Sequence, residues 1–424
     1  MSVKLYPHQS KALDDLKPLN RVALYWDMGL GKTYGGSEKM KELGAKVNLI
    51  ICQKSKIADW VEHFNSNYPD ILMCDLTKKG QLEIYLAFSN DMFQTTIGVI
   101  NYELAFRRPE LAKLTDFTLM LDESSLIQNE QAKRSKFILK KLKPANVILL
   151  SGTPTGGKYE NLWSQMRLLG WDISKTTYWN TYIEYHFEDM GGFPVRFIDG
   201  YKNVDRLKRK MREYGCHFLK TEDVLELPDQ VFTTVRVLVS KEYRKFRKDR
   251  VVEVDGTQLV GDNTLTKMLY ERQLCGQYSK AKLEAFRDLV ESTEDRLIVF
   301  YNFTSEYELL NWEVCDIADR PTSIVNGKTK DLTAYEKYND SITFIQYQAG
   351  AMGLNLQKAN KIIYYSPPLS SELYEQSKKR IHRIGQKGTC YYYNLTVTGS
   401  IEERIYNTLA MRRDYTEKLF EEDN

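Results

Sequence analysis

The chain lacks paired cysteines. Its six (Cys52, Cys74, Cys216, Cys275, Cys315 and Cys390) are scattered over 424 residues, with no Cys-x-x-Cys and no histidine at ligand spacing. A disulfide framework or zinc module is therefore not expected, and free thiols in a reducing compartment are. No apolar run approaches the ~18 residues of a membrane span, and residues 1–9 lack the apolar core of a signal peptide. The expectation is a soluble protein with no membrane partner, cytoplasmic in a bacterium or virus-infected cell and nuclear in a eukaryote. An excess of one charge is also missing: 60 Lys+Arg stand against 57 Asp+Glu, net +3. That excludes the uniformly basic surface of a histone-like binder. Repeats and low-complexity stretches are absent as well.

What is present is an ordinary globular composition, 42% hydrophobic and 28% charged, which excludes wholesale disorder. The length suggests two or three domains. Short apolar runs at 22–25, 47–52, 97–100, 118–122 and 147–151 read as strands. Helical patterns at 32–40, 57–64 and 133–142 lie between them. Strand-like runs return at 296–301, 342–347 and 361–365 after a charge-dense middle. Alternation of this kind predicts α/β architecture with mostly parallel sheets covered by helices. The expected division is an N-terminal lobe 1–226 and a C-terminal lobe 227–424, the latter with a basic, helical insertion at about 241–280. The 28 tyrosines are expected mainly as packing residues.

Gly29-Leu30-Gly31-Lys32-Thr33 follows the first strand and opens a helix. In that context glycines allow backbone N–H groups and the helix N-terminus to face phosphate oxygens. Lys32 would reach the terminal phosphates of ATP, and Thr33 would hold Mg²⁺. The usual first glycine of such a loop is replaced by Trp26. Leu119-Met120-Leu121 ends in Asp122-Glu123, two acids at the C-terminal edge of a sheet, where α/β folds bind ligands. Asp122 suits Mg²⁺ coordination and Glu123 suits activation of the attacking water.

Ser151-Gly152-Thr153-Pro154, at this distance after the acid pair, resembles motif III of superfamily 2 helicase-like ATPases. Gln376-Ser377-Lys378-Lys379-Arg380-Ile381-His382-Arg383-Ile384-Gly385-Gln386 is similar to motif VI of the Swi/Snf-related family, whose members move along double-stranded DNA. Leu5-Tyr6-Pro7-His8-Gln9 resembles the adenine-reading segment, and Asp27 through Thr33 motif I. Cys52 through Trp60 resembles motif Ia, and Ala349-Gly350-Ala351-Met352-Gly353-Leu354-Asn355-Leu356 motif V. The resemblance implies two RecA-like lobes with ATP and DNA at the cleft between them. It implies nucleotide contacts from Gln9, Met28, Gly29, Leu30, Gly31, Lys32, Thr33, Gly353, Asn355 and Gln376, and arginine fingers at Arg383 and Arg380. Nucleic acid would meet Lys54, Ser55, Lys56, Asn101, Tyr102 and Gly350.

The chain also departs from the family pattern. The acid motif reads Asp-Glu-Ser-Ser instead of Asp-Glu-Ala-His, so Ser125 replaces a histidine that links ATP state to neighbouring motifs. Gln346-Tyr347 replaces the Ser-Thr that opens motif V, and Leu369-Ser370-Ser371 an aromatic-Asn-Pro step. Positive charge concentrates in residues 200–220, 241–250 and 376–389, which hold 18 basic and 4 acidic side chains, a pattern suited to backbone phosphates. The expectation is a compact, divergent ATPase of bacterial or viral type, monomeric, with room for a targeting protein partner. It would use ATP and Mg²⁺ to translocate on double-stranded DNA, including forks or junctions, and remodel protein–DNA complexes. A strand-unwinding or annealing helicase is the alternative, and an ATP-bound, non-catalytic clamp a third reading.

Overall fold

The computed structural model describes residues 3–89, 93–189, 191–317, 319–350 and 354–420. Residues up to Val224, with the chain end from Asp414, form one compact unit, and Leu225–Arg413 form the other.

The first unit is built on strands β1 (Arg21–Trp26), β2 (Val47–Cys52), β3 (Leu72–Asp75), β4 (Thr96–Asn101), β5 (Phe117–Asp122) and β6 (Asn146–Leu150). An exposed antiparallel hairpin, β7 (Ile183–Asp189) and β8 (Pro194–Tyr201), precedes β9 (Cys216–Leu219). β9 joins the main sheet, whose order is β3-β4-β2-β5-β6-β1-β9. Every pairing in that sheet is parallel. Helices on both faces bury the strands, so β2 and β4 are buried at every residue and largely apolar.

The second unit has β10 (Gln230–Val237), β11 (Val251–Val254), β12 (Thr257–Val260), β13 (Leu297–Tyr301), β14 (Thr322–Val325), β15 (Lys330–Asp331), β16 (Ile342–Gln346), β17 (Lys361–Tyr364) and β18 (Cys390–Val397). The main sheet runs β10-β18-β17-β13-β16-β14-β15, and β11 and β12 form a separate hairpin. Along β13, Ile298 and Phe300 enter one core while Leu297, Val299 and Tyr301 enter another. The period of two thus feeds an apolar layer on each face. Each fully buried aliphatic or aromatic side chain contributes about 1.5–3 kcal/mol. Two mostly parallel, helix-covered sheets are the RecA-like lobes expected from the sequence.

The tyrosines are largely core. Tyr347, Tyr364 and Tyr392 stack with nearly parallel rings, and Phe232 continues the stack on β10. Their hydroxyls find partners in Ser366 O (3.0 Å), Ser377 Oγ (2.9 Å) and Lys378 O (3.1 Å), as buried phenols require. The last two bonds fasten the motif VI helix to the sheet. Among the described residues, no helix is long and apolar enough to cross a membrane.

Candidate nucleotide and nucleic-acid site

β1 is buried from Val22 to Trp26, so its C-terminal end delivers the following loop to the sheet edge. Gly31 has φ +76°, and a Cβ there would lie 2.1 Å from Gln9 Nε2. Only glycine allows both the left-handed turn and this approach. The helix Lys32–Leu43 begins at the next residue, leaving its first N–H groups directed toward the loop. Gly35 lets that helix sit against Trp26, whose ring would be 2.7 Å from an added Cβ. Trp26 itself is a core residue, with Nε1 donating to His217 Nδ1 at 3.0 Å.

The Lys32 ammonium donates to Trp26 O (2.7 Å) and Asp27 O (3.1 Å). Asp27 Oδ2 accepts the Thr221 N–H and hydroxyl, both at 3.1 Å, tying the loop to the segment after β9. Gln9 is buried. Its Nε2 donates to Leu30 O (3.0 Å) and Gly31 O (3.4 Å), and its Oε1 accepts the Tyr6 N–H at 2.9 Å. The amide nitrogen therefore braces the phosphate loop, while its oxygen holds the chain at Tyr6 beside it. Met28, Gly29 and Leu30 form the loop itself, and Thr33 lies in the first helical turn.

Asp122 ends β5, and its Oδ2 accepts the Trp60 indole N–H at 2.9 Å. Burial raises the Asp122 pKa above its ordinary value, opposed by that hydrogen bond and by the charges of Lys56 and Lys32. The phosphate-loop lysine and the acid are thus within electrostatic reach of each other. A carboxylate oxygen of Asp122 and the hydroxyl of Thr33 are the hard oxygen donors that a dication such as Mg²⁺ prefers. Glu123 has φ +55° and ψ +62°, a left-handed conformation that costs a non-glycine residue about 1–3 kcal/mol. It breaks the strand and starts the turn Ser124–Ile127.

Two residues expected at the nucleic-acid contact have buried side chains. Tyr102 is fully buried, and its hydroxyl donates to Asp122 O (2.9 Å) and Glu123 O (3.3 Å). Asn101 is 7% exposed and donates to Glu103 at 3.1 Å. A phenol in this position satisfies the carbonyls of the strained acid pair, so it supports the acids from inside. Lys54 and Ser55 are exposed on the turn Lys54–Lys56, and Lys56 pairs with Asp59 at 2.7 Å.

A polar connection escaped the sequence reading. Gln165, in the helix Trp163–Leu168, is fully buried. Its Oε1 accepts the hydroxyls of Tyr25 (2.9 Å) and Ser124 (2.7 Å), and its Nε2 donates to Pro154 O at 2.8 Å. One amide therefore joins β1, the acid motif and the Ser-Gly-Thr-Pro loop. Ser124 stands at the family's alanine, so its pairing with Gln165 is a feature of this chain. Gln165→Leu keeps the volume but leaves both hydroxyls without this acceptor. The expected result is a loss of about 1–3 kcal/mol, read by urea unfolding.

In the second unit Gly350 closes the short helix Tyr347–Gly350, whereas Gly353 lies outside the described residues. Asn355 is exposed. Gln376 is buried in the helix Ser371–Lys378 and donates to Glu372 at 3.3 Å. Ser370 accepts the Leu373 N–H at 3.3 Å, capping that helix where the family pattern has its proline step. Tyr347, at the opening of motif V, is buried. Arg380 is 2% exposed, and Arg383 is partly exposed with a pKa lowered by desolvation. Of the two expected fingers, Arg383 is the accessible one.

The SNF2-related domain model matches residues 19–280, and the helicase conserved C-terminal domain model matches residues 281–385. The ISWI chromatin-remodeling complex ATPase ISW1 of Saccharomyces cerevisiae is 24% identical, over 95% of this chain and 39% of that protein. The uncharacterized ATP-dependent helicase MG018 of Mycoplasma genitalium is 22% identical, over 94% of this chain and 40% of that protein. The chain therefore spans about two fifths of the length of these relatives. The SWI2/SNF2 ATPase core of Sulfolobus solfataricus, solved in complex with dsDNA, is 20% identical with a TM-score of 0.46, covering 98% of this chain and 93% of that one. Matched across both of its lobes, the chain belongs to the Swi/Snf-related family of superfamily 2 helicase-like ATPases.

Proposed function

We propose that this ATPase is a DNA translocase, driven by ATP hydrolysis along double-stranded DNA, that remodels protein–DNA complexes or branched DNA. The observation that supports it most is the convergence of Lys32 and the buried Asp122, with Glu123 held beside them by the backbone strain just described. Lys32 binds the terminal phosphates as a compact cation, and the N–H groups of the loop orient them. Glu123 orients the attacking water and takes its proton. Mg²⁺ held by Thr33 and Asp122 would neutralise charge on the phosphate oxygens. Arg383 supplies positive charge to the transition state from the second lobe, so hydrolysis depends on the conformation of the whole motor.

Lys54, Ser55 and the backbone at Asn101 and Gly350 are the proposed track for DNA phosphates, whose grip is independent of base sequence. The unwinding alternative requires a wedge. The β7–β8 hairpin exposes Phe187 and Phe193, at 54% and 75%. However, it carries Glu184, Glu188, Asp189 and Asp199 against Arg196, a balance that repels a phosphate backbone. Translocation without strand separation is therefore favoured. It predicts ATP-dependent displacement of a third strand from a triplex, with no unwinding of a forked duplex. Fork unwinding without triplex displacement would favour the alternative.

A further inference from the structure

Below the aromatic stack, one face of the second sheet turns polar. β10 and β18 present Thr234, Arg236, Asn394 and Thr396 to a single cavity of about 290 Å³. Their parallel register sets Thr234 beside Asn394 and Arg236 beside Thr396, so the polar side chains form a continuous floor. The helix Ser371–Lys378 covers it with Lys378, and the helix Ile401–Phe420 with Tyr406 and Arg413. Such a floor beneath two helices requires hydrogen-bond partners for every buried polar atom. Two atoms have none among the described residues: the Thr396 hydroxyl, on a residue 3% exposed, and the Tyr406 hydroxyl.

The lining carries Arg236, Lys378 and Arg413 against Glu375 and Glu403, a small excess of positive charge. Glu375 and Glu403 also line the cavity, but Glu375 is paired with Lys378 at 2.6 Å and Glu403 accepts the Gly399 N–H at 3.1 Å. Burial lowers the Lys378 pKa, with Glu375 opposing and the charges of Arg413 and Lys379 lowering it further. An anion would relieve that repulsion and accept from both hydroxyls.

We propose that this cavity is a binding site for a phosphate group, gripped by the Thr396 and Tyr406 hydroxyls, Arg236 and Arg413. It is separate from the phosphate loop, which lies in the other lobe. Its size is near the lower end for small-molecule sites, suited to inorganic phosphate or a small phosphomonoester. Lys378 closes the helix that leads directly to Arg380 and Arg383, so a bound phosphate braces the start of that segment.

The phosphate loop would itself bind phosphate, so the test uses the full chain carrying Lys32→Ala. Inorganic phosphate is titrated against chloride at constant ionic strength, with melting temperature and heat of binding as readouts. The parent should gain several degrees at saturation. Adding Arg236→Ala, at an exposed position, or the shape-conserving Thr396→Val should weaken phosphate binding at least ten-fold. A parallel titration with a short DNA duplex separates free phosphate from a backbone phosphate. Loss of duplex affinity in both variants, with free phosphate ineffective, assigns the site to the nucleic-acid backbone and still supports it. No response of the parent to phosphate or duplex, or equal responses in parent and both variants, overturns the proposal.

Discussion

Lys32→Ala lowers ATP turnover by about 10²–10³-fold or more, the scale expected when a preorganised group facing developing charge is removed. The side chain is already directed across its own loop by Trp26 O and Asp27 O. Little reorganisation is therefore needed for its charge to act on phosphate. Removing it also withdraws one of the charges that restrain the Asp122 pKa, so the acid is driven further toward its neutral form, which binds a dication poorly. The fold should survive, because the turn at Gly31 and the helix packing at Gly35 do not depend on the ammonium. Phosphate-release kinetics beside a thermal melt check both halves of this expectation.

Arg383→Ala lowers turnover by about 10³–10⁵-fold, as for other arginine fingers, while ATP affinity changes only a few-fold. The distinction follows from where charge appears. In its proposed role Arg383 acts on the transition state, whereas the phosphate loop binds the ground state. Arg383→Lys should not restore the rate, because a lysine is a point charge without the planar fork of donors. Arg380→Ala should differ in kind. Its guanidinium is buried, so its removal shows first as lost stability. Equilibrium nucleotide binding measured beside steady-state turnover separates these cases.

The elements that build the nucleotide site were legible because they are short, continuous and buried. The run 47–52 corresponds to β2 residue for residue, and 118–122 falls within β5. Parallel strands covered on both faces are mostly apolar, and Gly, Lys and the acids then mark their ends. The β7–β8 hairpin was not legible. Its aromatics alternate with Glu184, His186 and Glu188, and only Ile183, Tyr185 and Tyr201 at its base reach the main core. Gln165 was invisible for another reason. A glutamine on a short helix has no local signature, and its three partners are 11 to 140 residues away in sequence. Tyr102 was legible as a position but misread in direction. Only the folded chain brings the Asp122 and Glu123 carbonyls to its hydroxyl.

The Asp-Glu-Ser-Ser motif acquires a physical sense from these contacts. The family's histidine reaches a neighbouring motif with a long side chain. Here Ser124, one residue before the histidine's position, reaches Gln165, whose Nε2 also donates to the Pro154 carbonyl. Basic segments occur in both lobes: the helix Val204–Glu213 belongs to the first, and Lys241–Asp249 and Ser371–Lys378 to the second.

The central claim is that hydrolysis is coupled to DNA. Steady-state ATP turnover should be measured at one salt concentration without nucleic acid and with single strand, duplex, fork and four-way junction. The account predicts a many-fold rise with duplex DNA, absent in Lys32→Ala and in Arg383→Ala. A wild-type rate indifferent to every one of these nucleic acids would contradict it.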